Sequence, residues 1–381
     1  MDECANDSNA LAPLPNEALP MLKHDAIIFR VCQPTVEFWR EALRLPVVDF
    51  QASVIKEGFW PTTVTRIYLQ YADGAGLRSV ILKCAQPNWV GDPWGAQREA
   101  SVYRDLLSRI AVSQAACYFI VDGGEQEPTQ IVLQDLNDAY AFYPETHVWT
   151  DAEARAMLRT YARLHTAAQM LEVQNCPYLL PPLRERWTPP SARKMISDLL
   201  ETSWAGKRLN PVAPLVEILL DELTTLAPLV AGEPLTLVHY DAYPPNVGFA
   251  RQDESANAIL IDWALASRDI AEIDIAALFQ QPYRSDRHLD WRAALRYYWD
   301  ERARLTGDAY AWDERVMLLR YARIQLVFTA LGPIHRAWEK AAREGKPFTP
   351  DAPDPYTRFY NATLDAMIEI VKELTNSPLG D

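Results

Sequence analysis

Cysteine is scarce in this chain, and the five that occur form none of the patterns that cysteine chemistry requires. They are scattered, odd in number and include no CxxC pair; they are Cys4, Cys32, Cys84, Cys117 and Cys176. A disulfide framework needs paired cysteines, and a structural zinc site needs closely spaced ones. The sequence therefore argues against both, and it favours a reducing compartment.

Long apolar runs and an excess of basic residues are also missing. No stretch of about 18 uninterrupted apolar residues occurs, so we expect no membrane-spanning helix. The chain has 37 Lys and Arg against 51 Asp and Glu, a net charge of −14, which argues against broad binding to nucleic acid or to anionic membranes. The first residues, MDECANDSNALAP, lack the basic segment of a secretory signal. We therefore expect a cytoplasmic monomer or homodimer.

Several catalytic and phosphate-binding motifs are absent. The sequence has no GxxxxGK followed by Ser or Thr, and DGAGLR has only two glycines, in a hairpin context. It has no GxSxG and no HExxH. A P-loop nucleotide site, a dinucleotide fold, a serine hydrolase of the nucleophile-elbow type and an HExxH metalloprotease are therefore not indicated.

The residues that are present divide the chain into three parts. Residues 1–45 form an arm followed by a short helix over 33–43, for which Thr35 is the expected cap. Residues 46–137 alternate β-branched and aromatic runs with turn signals around one helix. Residues 138–381 are mainly helical in pattern, with short strands around one loop. We predict an α+β fold with a small β-rich N-lobe and a larger helical C-lobe.

Two short segments of the C-lobe carry groups that suit chemistry on phosphate. VHYDAYPPN contains Asp241 and Asn246, and its two prolines exclude regular helix and stiffen the loop. Asp262 follows the apolar run AILI directly. In phosphoryl transfer, one Asp accepts the hydroxyl proton, while an Asn and a second Asp hold Mg²⁺ on the phosphate oxygens. Taken singly, each segment is equally well explained as a structural polar network around a turn.

An upstream pair supplies what this interpretation requires. Lys83 ends the strand-like run SVIL, and Glu99 lies 16 residues later in the predicted helix. Such a Lys–Glu pair holds an ammonium group against the α- and β-phosphates in kinases. A solvated Lys and a surface Glu are the alternative for the isolated pair. The order of the pair relative to Asp241, Asn246 and Asp262 favours the kinase interpretation.

With these motifs in this order, the chain resembles the aminoglycoside phosphotransferase and choline kinase-like superfamily, small-molecule kinases with a protein-kinase-like fold. The resemblance runs from about residue 49 to about residue 279, through RSVILKC, REASVYRDL, IVLQDL, YARLHTA, VHYDAYPPN and IDWALA. PTVEFWREAL and GFWPTTVTRIYLQY resemble its ecdysteroid-kinase-like branch. The resemblance implies an enzyme that uses ATP and Mg²⁺ to phosphorylate a hydroxyl group of a small molecule.

The resemblance also implies roles for individual residues. Asp241 would be the catalytic base, and Asn246 and Asp262 the Mg²⁺ ligands. Lys83 and Glu99 would act on the phosphates of the nucleotide.

Further contacts follow from the same resemblance. Backbone groups of Gln134 and Leu136 would hydrogen-bond adenine. Gly58, Thr62 and Thr63 would lie over the phosphates. A further set, implied to fix the catalytic loop rather than to touch substrate, consists of His165, His239 and Asp274.

The chain departs from the family pattern at three places, one of which is the segment after IDW, where Ser267, Arg268 and Asp269 stand in place of the glycine that often follows. Tyr240 stands where the family usually has glycine between the His and the Asp, so we expect a negative φ there or a slightly altered loop. The segment over the phosphates, KEGFWPTT, is poor in glycine and has a bulky tip. This tip supports an alternative function, a pseudokinase-like module that binds nucleotide without catalysis.

A third candidate is a metal-dependent hydrolase built on His239, Asp241 and Asp262, which leaves Lys83 and Glu99 without a role.

For the kinase, the acceptor stays open between an aminoglycoside, a choline-like molecule, a sugar, a steroid and another alcohol. Aromatic side chains in the later helices would suit a hydrophobic alcohol or a quaternary ammonium group, although core packing is their default role. These side chains, with one arginine, are Tyr283, Arg284, Trp291, Tyr297, Tyr298, Trp299 and Trp338.

Overall fold

The structure, a computed structural model, describes residues 34–57, 62–72, 74, 76–87, 94–124, 127–252, 257–280, 290–345 and 355–376. The predicted arm over 1–20, Gly58, Tyr283 and Arg284 lie outside the described residues.

The first part of the fold is a helix and a five-stranded antiparallel sheet. In chain order its elements are α1 (Val36–Leu43), β1 (Val47–Glu57), β2 (Thr62–Tyr71), β3 (Ser79–Ala85), α2 (Arg98–Ser101), β4 (Cys117–Val121) and β5 (Thr129–Gln134). The strand order is β1-β2-β3-β5-β4. After α2 the chain continues through a π-helical turn, Val102–Leu106, and a 3₁₀ turn, Leu107–Arg109.

The N-terminal helix forms as its sequence predicts. The Thr35 hydroxyl accepts the N–H of Phe38 at 3.2 Å, so the expected cap is confirmed. Trp39, on the inner face of α1, is fully buried in the small core on that side of the sheet.

The second part is mainly helical. Its helices are α3 (Asp151–Gln169), α4 (Leu183–Arg186), α5 (Pro189–Leu200), α6 (Ser203–Leu209), α7 (Ala213–Ala231), α8 (Glu272–Phe279), α9 (Trp291–Thr306), α10 (Trp312–Arg343) and α11 (Pro355–Asn376). Its strands are β6 (Tyr140–Ala141), β7 (Thr236–Val238), β8 (Val247–Ala250), β9 (Ile259–Leu260) and β10 (Ser267–Asp269). They form two small sheets, β6-β8-β9 and β7-β10. These sheets carry the loop that contains Asp241 and the turn that contains Asp262.

The two parts share one hydrophobic core. Ala100 and Leu107, from the helical segment that starts with α2, and Leu133 from β5 belong to the same buried cluster as Leu158 of α3. The predicted α+β two-lobe fold is confirmed, and the lobes are packed together at α2. None of the helices in the described residues combines the length and the apolar character that a membrane span requires.

Candidate active site

Lys83 joins the sheet to two acidic segments. It lies on β3, in the interior of the sheet, opposite Val64 on β2 and Ile131 on β5. Its ammonium group contacts the Glu99 carboxylate and lies 2.5 Å from Oδ1 of Asp262. The structure therefore brings Asp262, which lies 179 residues after Lys83, to the Lys83–Glu99 pair.

Burial makes these charges depend on one another. Burial alone would lower the pKa of Lys83, but the carboxylates of Asp262 and Glu99 outweigh it and raise that pKa. Burial also raises the pKa of Glu99, and Lys83 opposes this shift only in part. The Asp262 side chain is 33% exposed, whereas those of Lys83 and Glu99 are almost fully enclosed. Asp262 is thus the member of the group that solvent and a ligand can reach.

A buried arginine that the sequence analysis missed positions Glu99. Arg98 is 1% exposed; its Nε donates to the Tyr178 carbonyl at 2.7 Å and its Nη1 to the Ala264 carbonyl at 2.8 Å. The N–H of Trp263 donates to Glu99 at 3.3 Å. Arg98 and Glu99 therefore tie the start of α2 to the turn that begins at Asp262.

Asp241 and Asn246 face each other within one loop. The loop follows β7 and ends in a 3₁₀ turn, Pro244–Asn246, which the two prolines favour. The Asn246 amide donates to the backbone carbonyl of Asp241 at 3.0 Å and to its carboxylate at 3.2 Å. The Ile261 N–H donates to the Asn246 carbonyl at 3.0 Å, which places Asp262 beside this loop.

Asp274 and His239 hold the backbone of the loop. Asp274 is fully buried and accepts the N–H groups of His239 and Tyr240 at 2.8 and 2.6 Å. The His239 Nε2 lies 2.9 Å from the Ile261 carbonyl and donates to it, while its Nδ1 accepts the Asp241 N–H at 3.3 Å. Because both ring nitrogens are used and burial lowers the pKa of His239, the imidazole is neutral.

His165 supports this arrangement from α3. Its ring is fully buried, with Nε2 3.1 Å from Asp274 and Nδ1 2.8 Å from the hydroxyl of Tyr298. The Thr236 hydroxyl donates to the His165 carbonyl at 3.0 Å, which joins β7 to α3. Tyr298, on α9, is therefore part of the buried support of the loop.

Tyr240 corrects one expectation. A negative φ or a slightly altered loop was expected at this position. The negative φ was wrong, because φ is +72°, in the left-handed region that glycine favours. The two hydrogen bonds that Asp274 accepts hold the backbone on both sides of the His239 Cα, directly before the Tyr240 Cα. The ring packs against the main core, with the Arg186 guanidinium 5.3 Å from its centroid.

A pair of substitutions at Tyr240 measures the strain. Tyr240→Ala and Tyr240→Gly both remove the packed ring, but only alanine keeps a Cβ in the left-handed region. We expect the glycine variant to be more stable than the alanine variant by about 1 kcal/mol. Urea unfolding of both, with Tyr240→Phe as the control that retains the ring, checks this. Equal stability of the two variants would show that the backbone is unstrained.

The predicted adenine-binding segment follows β5. The N–H of Gln134 donates to the Ala116 carbonyl at 2.8 Å, and the Leu136 carbonyl accepts the N–H of Tyr140 at 2.9 Å. Between them, Asp135 accepts hydrogen bonds from Arg66 and Ser79, each at 2.7 Å. Asp135, which the sequence analysis did not single out, thus fastens this segment to the sheet.

The predicted phosphate loop is described only at its end. Thr62 and Thr63 open β2 and pair with Ala85 and Cys84 of β3. They therefore lie next to Lys83 along the sheet.

The donor groups near Lys83 fit a magnesium ion. Asp262 and Asn246 offer a carboxylate and an amide oxygen, the hard oxygen ligands that Mg²⁺ prefers. The hydrogen bond from Ile261 to Asn246 holds the two residues side by side, and Asp262 is accessible. His239 offers no free nitrogen, so the ligand set contains oxygen atoms alone.

Comparison with known proteins identifies the family of the chain. The profile of the phosphotransferase enzyme family matches residues 75–312. No curated protein matches the chain significantly.

Solved structures of similar fold are phosphotransferases. One is a spectinomycin phosphotransferase in complex with ADP and spectinomycin, with 11% identity, a TM-score of 0.56, and coverage of 89% of this chain and 97% of that chain. Another is an aminoglycoside 2'-phosphotransferase in its GDP complex, with 12% identity, a TM-score of 0.57, and coverage of 89% and 99%. An ADP-bound aminoglycoside phosphotransferase has 14% identity, a TM-score of 0.51, and coverage of 91% and 99%.

At these identities the structural likeness establishes the fold, and the profile match, which spans more than half of the sequence, establishes the family. The chain belongs to the phosphotransferase enzyme family.

Proposed function

We propose that the protein is an ATP-dependent kinase that phosphorylates a hydroxyl group of a small molecule, with Mg²⁺ as cofactor. The observation that carries the proposal is the contact of the Lys83 ammonium group with both Glu99 and Asp262, beside the loop of Asp241 and Asn246. The similar proteins bind ADP or GDP, and one of them also holds spectinomycin, which supports a nucleotide and a small-molecule acceptor. A cytoplasmic location stays a prediction.

Asp241 is the proposed base. The hydroxyl oxygen of the acceptor attacks the γ-phosphorus of ATP, the bond from this phosphorus to the bridging oxygen breaks, and ADP leaves. The acceptor's proton passes to the Asp241 carboxylate. Asn246 donates to that carboxylate and orients it, and Asp274 fixes the loop backbone beside it. Positioning of this kind supplies much of the rate in phosphoryl transfer.

Asn246 and Asp262 are the proposed ligands of Mg²⁺. When bound, the ion would neutralise negative charge on the phosphate oxygens. Lys83 would contact the phosphates from the sheet side. The buried Glu99 keeps the ammonium group of Lys83 in place.

The remaining nucleotide contacts are proposed at the edge of the cleft. The Gln134 N–H and the Leu136 carbonyl are already bonded within the protein. The Gln134 carbonyl and the Leu136 N–H are the proposed contacts to adenine. Gly58, Thr62 and Thr63 stay predicted phosphate contacts, and the nucleotide lobe stays predicted as residues 46–137.

The other two candidates are less well supported. A hydrolase that uses His239 needs a free ring nitrogen, but both nitrogens are hydrogen-bonded within the loop. A pseudokinase needs no ordered base, yet Asn246 holds the Asp241 carboxylate in place.

A nucleotide-turnover experiment tests the proposal. The full chain, ATP and Mg²⁺ are incubated with a panel of alcohols, sugars and aminoglycosides, and ADP and phosphorylated product are measured. Asp262→Asn is expected to reduce turnover by about 100-fold or more, because it removes a charge that faces the phosphates. Asp221→Asn, an exposed aspartate on α7 that pairs with Arg193, is the matched control. Turnover by Asp262→Asn equal to that of the control would contradict the proposed role.

A further inference from the structure

Two arginines approach each other next to the catalytic loop. Arg186 ends α4, and its guanidinium lies 5.3 Å from the centroid of the Tyr240 ring. Tyr240 immediately precedes Asp241, and consecutive Cα atoms are about 3.8 Å apart. The Arg186 guanidinium therefore lies within the span of a small-molecule acceptor from the proposed base.

One face of α10 supplies the second arginine. Thr329, Gly332 and Arg336 follow one another at helical spacing, so they lie on the same side of α10. Thr329 hydrogen-bonds with the side chain of Tyr240. A Cβ on Gly332 would lie 2.5 Å from the ring of Trp187 and 3.3 Å from Nη1 of Arg336. The glycine thus lets Trp187 close against α10, which brings Arg186 and Arg336 to the same place.

The charge on this arginine pair is not neutralised by contact within the described residues. The Nε and Nη2 atoms of Arg186 are buried there without a hydrogen-bond partner. Burial raises the pKa of Asp269 to about 6, and the charge of Arg186 opposes this shift only in part. The Asp269 carboxylate is occupied by the N–H groups of Leu183 and Ile270. A guanidinium normally uses its donors on a carboxylate or a phosphate, so these atoms are available to an anion.

The effect of Arg186 on Arg336 leads to the same conclusion. Arg336 is exposed, yet burial lowers its pKa, and repulsion from Arg186 lowers it further. Glu339 opposes this shift, but less strongly than Arg186 favours it. Two like charges within electrostatic range of each other repel until an anion binds between them.

We propose that Arg186 and Arg336 form an anion subsite in the acceptor cleft, so that the hydroxyl acceptor carries a carboxylate or a comparable anionic group. That the bound anion is the phosphate acceptor rests on the proposed function. That the two arginines bind an anion does not. Tyr240 and Trp187 add flat apolar surface beside the arginines, which suits a ring or another apolar body attached to the anion. Against an overall charge of −14, two neighbouring arginines reverse the sign of the charge locally and attract an anion to this place.

Three probes that share one hydroxymethylphenyl group test the charge of the acceptor. They are para-(hydroxymethyl)benzoate, its primary amide and para-(hydroxymethyl)benzylamine, which are anionic, neutral and cationic. Binding to the full chain, with Mg²⁺ and a non-hydrolysable ATP analogue, is measured by calorimetry. We expect the benzoate to bind at least about tenfold more tightly than the amide, as for a charge-assisted hydrogen bond, and the amine most weakly.

Variants show whether the arginines cause the preference. Arg186→Gln and Arg336→Gln are each expected to abolish the difference between benzoate and amide. Arg193→Gln, on the exposed side of α5 where Arg193 pairs with Glu217 and Asp221, should preserve it. Unfolding curves of all three variants confirm that they fold. The inference is overturned if the benzoate does not bind, if the amide or the amine binds as tightly, or if the preference survives in both cleft variants.

Measuring ADP release with the same probes separates this inference from the proposed function. Arginine-dependent binding of the benzoate without transfer in any assay would contradict the kinase proposal and leave the anion subsite supported. Phosphorylation of the amide or the amine, with the benzoate neither bound nor phosphorylated, would support the kinase and overturn the subsite.

Discussion

Replacing Asp241 by asparagine is expected to reduce kcat about 10²–10⁴-fold while ATP affinity stays near that of the wild type. The substitution removes the proton acceptor but keeps an oxygen that can receive the amide hydrogen of Asn246, now 3.2 Å from the carboxylate. The loop should therefore retain its conformation. Single-turnover transfer from ATP, together with nucleotide binding by calorimetry, measures the two quantities separately.

The control for this prediction is Asp198→Asn. Asp198 lies on α5 and pairs with Lys194 and His335. The Asp198→Asn variant should transfer phosphate at the wild-type rate. Unchanged kcat in Asp241→Asn, with the loop intact, would remove Asp241 from the mechanism.

Replacing Lys83 by methionine is expected to abolish productive nucleotide binding and to lower the free energy of unfolding by about 3–5 kcal/mol. The methionine fills the space, but Glu99 is then left buried without its cation, near the charge of Asp262. Urea unfolding measures the loss. The double variant Lys83→Met with Glu99→Gln should recover most of the stability and none of the activity.

The loss of folding stability in Lys83→Met should also depend on pH. Burial already raises the pKa of Glu99 in the intact protein, and removal of Lys83 raises it further. A carboxyl with a raised folded-state pKa stabilises the fold at low pH, and this contribution disappears as the pH rises through that pKa. The deficit should therefore be smaller at about pH 5 than at about pH 8. A deficit independent of pH would mean that Glu99 is not left as an unpaired charge.

The residues that could be predicted from the sequence are those whose geometry depends on near neighbours in the chain. Asp241 and Asn246 stand five residues apart in one stiff loop, and Lys83 and Glu99 occupy a strand and the helix that follows it. Thr35 caps α1 through a bond that spans three residues. In each case, residue type and short spacing already restrict the geometry.

The groups that the sequence did not reveal depend on distant partners. Arg98 bonds to carbonyls 80 and 166 residues further along the chain, and an arginine in a helix is usually a surface residue. Arg186 and Arg336 come within electrostatic range of each other where Gly332 lets α10 approach Trp187. At Tyr240 the local preference for a negative φ was overruled by the buried carboxylate of Asp274. Tertiary contacts decided all of these.

The core that passes without interruption from α2 and β5 into α3 makes the two lobes one cooperative unit. A ligand that binds only the folded state stabilises everything that unfolds together with its site. A nucleotide held by the sheet would therefore raise the melting temperature of the distant helices as much as that of the strands. One thermal transition of the whole chain thus reports the occupancy of the cleft, wherever the probe of unfolding is placed.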